Sequence, residues 1–177
     1  MFATIGLREW FRNLMNPIDF QFKHPEDDVI NTSNMFSDYI PSIREEGFTV
    51  WDTQGESEGT CRLNLQTPDG RRAVISGRPD FIISAGDATK GSFLLKTQCI
   101  VEIQSNDDDE QCEVQMMAYI YIFMNKMGLK KVVGFLIYRN GLVKAYRASR
   151  EPNIVYEEND TFHISHIRNV LAQVVNI

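Results

Sequence analysis

The sequence predicts a single α/β domain whose central mixed sheet is flanked by helices on both faces. Three observations lead there. Helical and β-prone runs follow one another as helix, several strands, helix, strands, helix. Ile100-Val101 is a continuous apolar pair near a strand end, the pattern of a strand covered on both faces. Residues of about 110 to 127 form a helix apolar nearly all round (Val114, Met116, Met117, Ala118, Ile120, Tyr121, Ile122, Phe123, Met124, Met127), which suits burial between layers. A chain of 177 residues is long enough for one domain with a sizeable core and an arm.

Taken in order, residues 1–30 read as an N-terminal helical arm and a loop. Thr4 can cap a helix over 2–16 that carries Leu7, Trp10, Phe11 and Leu14 on one face and stops before Pro17. The core runs from 31 to 147. Asn31, Thr32 and Ser33 offer caps for a helix bearing Phe36, Tyr39, Ile40 and Ile43, with Pro41 set to kink or split it and Gly47 to end it. Phe48 to Trp51 is a short strand. Cys61 to Gln66 and Arg72 to Ser76 form a hairpin about the turn Thr67-Pro68-Asp69-Gly70. Strands follow at Phe81 to Ser84 and at Phe93 to Gln104, and the polar run from Ser105 leads into the apolar helix. Gly128 is placed to end that helix. Lys131 to Arg139 and Leu142 to Arg147 read as a second hairpin with Asn140-Gly141 as a two-residue turn. Residues 148–177 read as a loop and a closing amphipathic helix with Ile164, Ile167, Val170, Leu171 and Val174 inward.

Composition narrows the function classes. A formal charge of −6 excludes a general polyanion-binding surface, so nucleic-acid contact requires a local basic patch. Arg78, Lys126, Lys130, Lys131, Arg139, Lys144 and Arg147 are its candidates. Cys61, Cys99 and Cys112 lack metal-ligand spacing and read as reduced thiols, which points to an intracellular setting, cytoplasmic or nuclear. Arg8, Glu9 and Arg12 do not suit a signal peptide, and no run is long enough to span a bilayer, so no membrane association is expected. His163 and His166, two histidines alone, make a poor metal site. Asp107, Asp108 and Asp109 lack the glycine and closing glutamate of a calcium loop and read as helix-start acids.

The chemistry concentrates between Gly77 and Tyr119. Asp80 opens one apolar strand, and Glu102 and Gln104 sit near the end of the next, on one face of it. If those strands are neighbours, the two carboxylates and the backbone carbonyl of Ile103 offer the hard oxygen donors that Mg²⁺ or Mn²⁺ prefers. Gln115 and Tyr119 are four apart on the following helix and can face the same site. Each piece also has a plainer reading as a strand-end acid or a turn residue. The second Pro-Asp pair, at Asp69, is simply a turn.

Gly77-Arg78-Pro79-Asp80 followed by Glu102-Ile103-Gln104 resembles the PD-(D/E)XK nuclease superfamily, and Gln115 with Tyr119 resembles the added motif of its RecB-like branch. Similar domains occur in Crinkler-type effector proteins. The resemblance implies a restriction-endonuclease-like αβββαβ core and Mg²⁺- or Mn²⁺-dependent hydrolysis of nucleic-acid phosphodiesters by in-line attack of water, with DNA favoured over RNA. It makes Asp80, Glu102 and the Ile103 carbonyl the metal ligands, with Glu45 or Glu46 in place of the first-helix acid. It sets Gln104 where the lysine usually stands, a departure because glutamine carries no charge and cannot act as a base. Lys96, on the same face of the same strand, lies too far along it to substitute. Nucleic acid would be met by Arg78, Gln115, Tyr119, Lys126 and Arg139. Two other readings stand beside the nuclease. One is a catalytically inactive module that binds nucleic acid or a protein on the same scaffold; the other is a protein-interaction domain using Trp10, Phe11 and the acidic surface.

Overall fold

The computed structural model describes residues 3–6, 19–21, 35–53, 61–66, 72–77, 79–104, 109–150 and 154–175. Ten strands are found in them: β1 Ala3–Gly6, β2 Asp19–Gln21, β3 Phe48–Asp52, β4 Cys61–Gln66, β5 Arg72–Gly77, β6 Phe81–Ala85, β7 Thr97–Ile103, β8 Lys131–Ile137, β9 Leu142–Arg150 and β10 Ile154–His163. The helices are α1 Ile40–Glu45, α2 Asp109–Lys126 and α3 Ile167–Val175, the last preceded by a 3₁₀ turn, Ile164–His166. Seven strands make one mixed sheet in the order β1-β10-β9-β8-β7-β6-β3, and β2-β5-β4 make a small second sheet. Among the described strands of the large sheet only the neighbours β7 and β8 run parallel, and α2 between them supplies the crossover that a parallel pair needs.

Period-two alternation along the central strands divides the core. Ile82, Ile100, Val132, Leu136, Tyr146 and Ala148 point to one face and pack against Cys112, Met116, Ile120 and Phe123 of α2. Phe81, Ile83, Cys99, Val101, Val133, Phe135 and Ala145 point to the other face, beneath Phe36, Ile43 of α1 and Ile167, Leu171 and Val174 of α3. Helices on both faces of a mixed sheet are therefore observed. The all-round apolarity of α2 is explained by its position, since it touches β7 and β8 on one side and β4 and β5 on the other. It also lies close over β8: a Cβ built on Gly134 would stand 2.5 Å from the Met116 sulfur and 3.1 Å from Ile120 Cδ1.

Several expectations are corrected. Residues 3–6 of the expected N-terminal helix form a strand, with Ile5 paired to Tyr156, because the β-branched pair Thr4-Ile5 meets the open edge of β10. Trp10 and Phe11 lie outside the described residues. The expected loop after 148 is mostly sheet: β9 continues to Arg150 and β10 adds ten residues, with a register shift between Glu158 and Thr161 that the polar run there disguises. The helix expected over the thirties and forties is split as Pro41 suggests, with a turn at Asp38-Tyr39 and proline in the first turn of α1. Gly47 ends it with φ +95°.

The strand expected from Phe93 begins only at Thr97. Residues before it coil into turns in which Phe93 N–H donates to Thr89 and Lys96 N–H to Ser92. Phe93 instead stacks on Trp51 at 4.6 Å, and Lys96 pairs with Asp87 at 2.8 Å, so Lys96 has no place on β7. The β8–β9 connection is a three-residue loop rather than a two-residue one. Tyr138 N–H donates to Leu142 O, Gly141 N–H donates to Tyr138 O, and only Gly141 has positive φ, at +86°. Asn140 at negative φ cannot form the type I′ turn, so glycine takes the left-handed bulge position instead. His163 serves structurally, its Nδ1 accepting from Ser165 N–H at the start of the 3₁₀ turn. Among the described residues no helix is long and apolar enough to cross a membrane.

Candidate metal and acid site

Strands β6 and β7 are neighbours, paired Phe81↔Val101 and Ile82↔Ile100. One step further in that antiparallel register sets Asp80 across from Glu102, and opposed residues share a face. The side chains do meet: the Asp80 and Glu102 carboxyls are close enough to hydrogen-bond, and Asp80 Oδ2 also accepts from Ile103 N–H at 2.8 Å. Thr53, just past the end of β3, fixes the backbone that carries Asp80. Its N–H donates to the Asp80 carbonyl at 3.2 Å, and its hydroxyl lies against the carbonyls of Pro79 and Asp80. The sequence offers no signal for Thr53, whose part depends on β3 pairing with β6.

Helix α2 closes the site from above. Gln115 Nε2 reaches Glu102 Oε1 at a long 3.5 Å and donates to Tyr119 Oη at 3.1 Å. The four-residue spacing that sets Gln115 and Tyr119 on one helix face thus brings them to Glu102, as expected. Their role differs from the expected one. Tyr119 is 0 % exposed, Gln115 4 %, Glu102 1 % and Asp80 0 %, so none presents a surface on which a base could stack. Gln115 and Tyr119 position Glu102. Removing the hydroxyl in Tyr119→Phe deprives a buried amide of an acceptor. It is expected to lower unfolding free energy by roughly 1–3 kcal/mol, read from urea denaturation.

Burial is the largest influence on Glu102, and the adjoining Asp80 charge is the next; together they hold its carboxyl well above the usual carboxylate range. Both influences favour the protonated form of Glu102. Gln104 sits beside it at the end of β7, its N–H donating to Ile137 O at 2.8 Å and its Oε1 accepting from Arg139 N–H at 3.3 Å. That engagement ties the amide oxygen to the β8–β9 loop.

The remaining candidates separate. Glu46 forms an ion pair with Arg168 of α3, as does Glu45 at 3.2 Å, so the structure gives both first-helix acids another partner than the Asp80–Glu102 pair. Glu46, an expected metal ligand, is thus engaged by Arg168. The residues joined are more than a hundred positions apart, a link spacing cannot reveal. Among the described residues no group of three or more His, Cys, Asp or Glu side chains is arranged to hold an ion. The donors on hand are the two carboxylates of Asp80 and Glu102, which are hard oxygens. A cation there would relieve the like-charge strain between Asp80 and Glu102, so the residues fit the group.

The basic patch also divides. Lys144 pairs with Leu136, itself paired with Glu102, and its ammonium is bound to the part-buried Glu113 of α2. Arg139 lies on the loop that holds Gln104. These two flank the site. Lys126 ends α2 eleven residues after Gln115, roughly 16 Å along the helix axis, so its expected contact with a strand bound at the site is not supported. Lys130, Lys131 and Arg147 lie at that far end too, and Arg78 lies outside the described residues. Compared with known proteins, the chain matches no protein-family model, no curated protein and no solved structure.

Proposed function

We propose that the Asp80–Glu102 pair is a divalent-cation site and that the chain is a nuclease of the PD-(D/E)XK type, acting on nucleic-acid phosphodiesters. The observation that carries this reading is the meeting of the two carboxyls across neighbouring strands, with Gln115 of α2 on Glu102. Element order supports it: α1, then β3, β6 and β7 as an antiparallel set, then α2, then β8 parallel to β7, with the β4–β5 hairpin inserted. That is an αβββαβ sequence of elements. Mg²⁺ or Mn²⁺ held by Asp80, Glu102 and the Ile103 carbonyl would polarise the phosphodiester and make bound water more acidic. Asp80 is kept in place by Ile103 and Thr53, Glu102 by Gln115 and Tyr119. Gln104 supplies dipoles where a lysine would supply charge.

A second reading has its own support. Asp80, Glu102 and Gln104 are all buried, and burial favours the protonated form of Glu102, as suits a nuclease-like scaffold that binds without cleaving. The two are separated by plasmid and single-strand cleavage assays with Mn²⁺, beside a chelated control and Asp80→Asn. Cation-dependent products absent from Asp80→Asn support the nuclease; cleavage that persists in Asp80→Asn, or none with any nucleic acid, rejects it. Gln104→Lys tests the departure from the superfamily pattern. It loses the acceptor for Arg139 N–H, a cost of about 1 kcal/mol in stability. It adds an ammonium that can stabilise developing charge, so the cleavage rate should be preserved or raised. A rate that falls to that of Gln104→Ala would show that no cation is wanted there.

A further inference from the structure

At the end of the sheet opposite Asp80 and Glu102 a cleft of about 240 Å³ opens between α3 and the β8–β9 ladder. Lys131 starts β8 five residues before the partner of Glu102, so roughly 16 Å separates the two places along the strand. The cleft is lined by Gln98, Lys131, Arg147, Ser149, Val174 and Val175, among others. Lys131 faces Ser149 and Arg147 faces Val133 in the ladder, which makes the two cations diagonal neighbours on one face of the sheet. Lys131 Nζ reaches the Val175 carbonyl at the end of α3, at 3.5 Å.

A separate feature converges on the same place. The ladder shifts between Ile83↔Cys99 and Ser84↔Thr97, so Gln98 is the extra residue of a β-bulge. Bulges re-aim side chains. Among the described residues Gln98 Oε1 is buried without a hydrogen-bond partner, although it lines a cleft whose other polar side chains, Lys131, Arg147 and Ser149, can all donate. A buried acceptor without a donor costs about 1–3 kcal/mol, and a ligand that supplies the donor recovers it.

We propose that this cleft binds a small organic anion, a carboxylate or phosphate monoester that also carries a hydrogen-bond donor. Lys131 and Arg147 receive the anionic head, Gln98 Oε1 accepts from the donor, and Val174 and Val175 contact the body. The volume lies below the roughly 300–1,000 Å³ of drug-sized sites, so the occupant is smaller than those ligands. This inference does not rest on the nuclease reading.

The test is an NMR titration of the full chain at pH 8 with five probes: L-leucine, its amine-free analogue 4-methylpentanoate, phosphoethanolamine, its amine-free analogue ethyl phosphate, and inorganic phosphate. Leucine identifies a carboxylate site and phosphoethanolamine a phosphate site. The expected result is saturable shifts by at least one of these two at the amides of Gln98, Lys131, Arg147 and Ser149. Affinity should fall at least about tenfold in Lys131→Ala and in Arg147→Gln, and about tenfold for the matched probe lacking the donor. Because Glu157 stands across the ladder from Arg147, the two cations are replaced separately. Val175→Trp, which fills the mouth from a half-buried position, should block binding while leaving the fold intact. Saturation by neither amine-bearing probe, shifts elsewhere, or affinities unchanged in the variants would overturn the proposal. Inorganic phosphate binding as tightly as phosphoethanolamine, with leucine inert, would mean an adventitious ion only and would overturn it as well.

Discussion

Glu102→Gln is expected to make the folded chain more stable at neutral pH and to remove cation-dependent cleavage. The stability gain follows from linkage. Burial and the Asp80 charge raise the folded-state pKa of Glu102 above its unfolded value. Between those two values the folded chain holds a proton that the unfolded chain has released. Stability from this group is therefore fully present below the unfolded pKa and is lost as pH rises through the folded one, at a slope of up to about 1.4 kcal/mol per pH unit. Glutamine is nearly isosteric with the protonated acid and does not titrate, so the variant should show a flatter profile. Urea denaturation of both proteins between pH 4 and 8 measures this directly. Parallel profiles would mean that Glu102 is charged in the fold. Cleavage moves the other way: losing a group that stabilises transition-state charge costs on the order of 10²–10³ in rate or more. A structural acid would give the stability gain without the catalytic loss.

Gly134→Val should be clearly destabilising. Gly134 lies on β8 directly under α2, where even a Cβ would press on the Met116 sulfur and on Ile120. Both neighbours are 0 % exposed, which leaves them little room to yield. Overpacking of this kind costs about 1–3 kcal/mol. Lifting α2 would also draw Gln115 and Tyr119 away from Glu102, so the pH profile of stability should change along with the midpoint. Met116→Ala in the same chain removes the group that clashes and should recover part of the loss. If the double variant is no better than the sum of the two singles, the contact is not the cause.

The fold was legible where one local pattern decided the outcome. Alternation in β7 put Ile100 and Glu102 on one face, and i, i+4 spacing put Gln115 and Tyr119 together, which is why the carboxyl pair and its helix partners could be expected from spacing. Pro41 and Gly128 marked their boundaries for similarly local reasons. What could not be read depends on pairing at long range. β1 forms only because β10 leaves an edge, and Thr53 acts only because β3 lies beside β6. Glu45 and Glu46 were candidates until α3 brought Arg168 to them. The Asn140-Gly141 turn failed differently: the dipeptide fits two loop types, and here the last hydrogen bond of the hairpin, from Tyr138 N–H to Leu142 O, leaves three residues for the loop. The far basic group was misassigned because nearness in sequence hides the length of α2.

Mn²⁺ binding measured by electron paramagnetic resonance on the full chain at pH 5.5 and pH 8, beside Glu102→Gln, addresses the cation site most directly. Binding to the Asp80–Glu102 pair must displace the proton that Glu102 holds, so affinity should rise with pH. One Mn²⁺ per chain is expected, tighter at pH 8, and absent or at least about tenfold weaker in Glu102→Gln. Binding of equal strength in the variant, or no Mn²⁺ bound at pH 8, would contradict the assignment of Asp80 and Glu102 as a cation site.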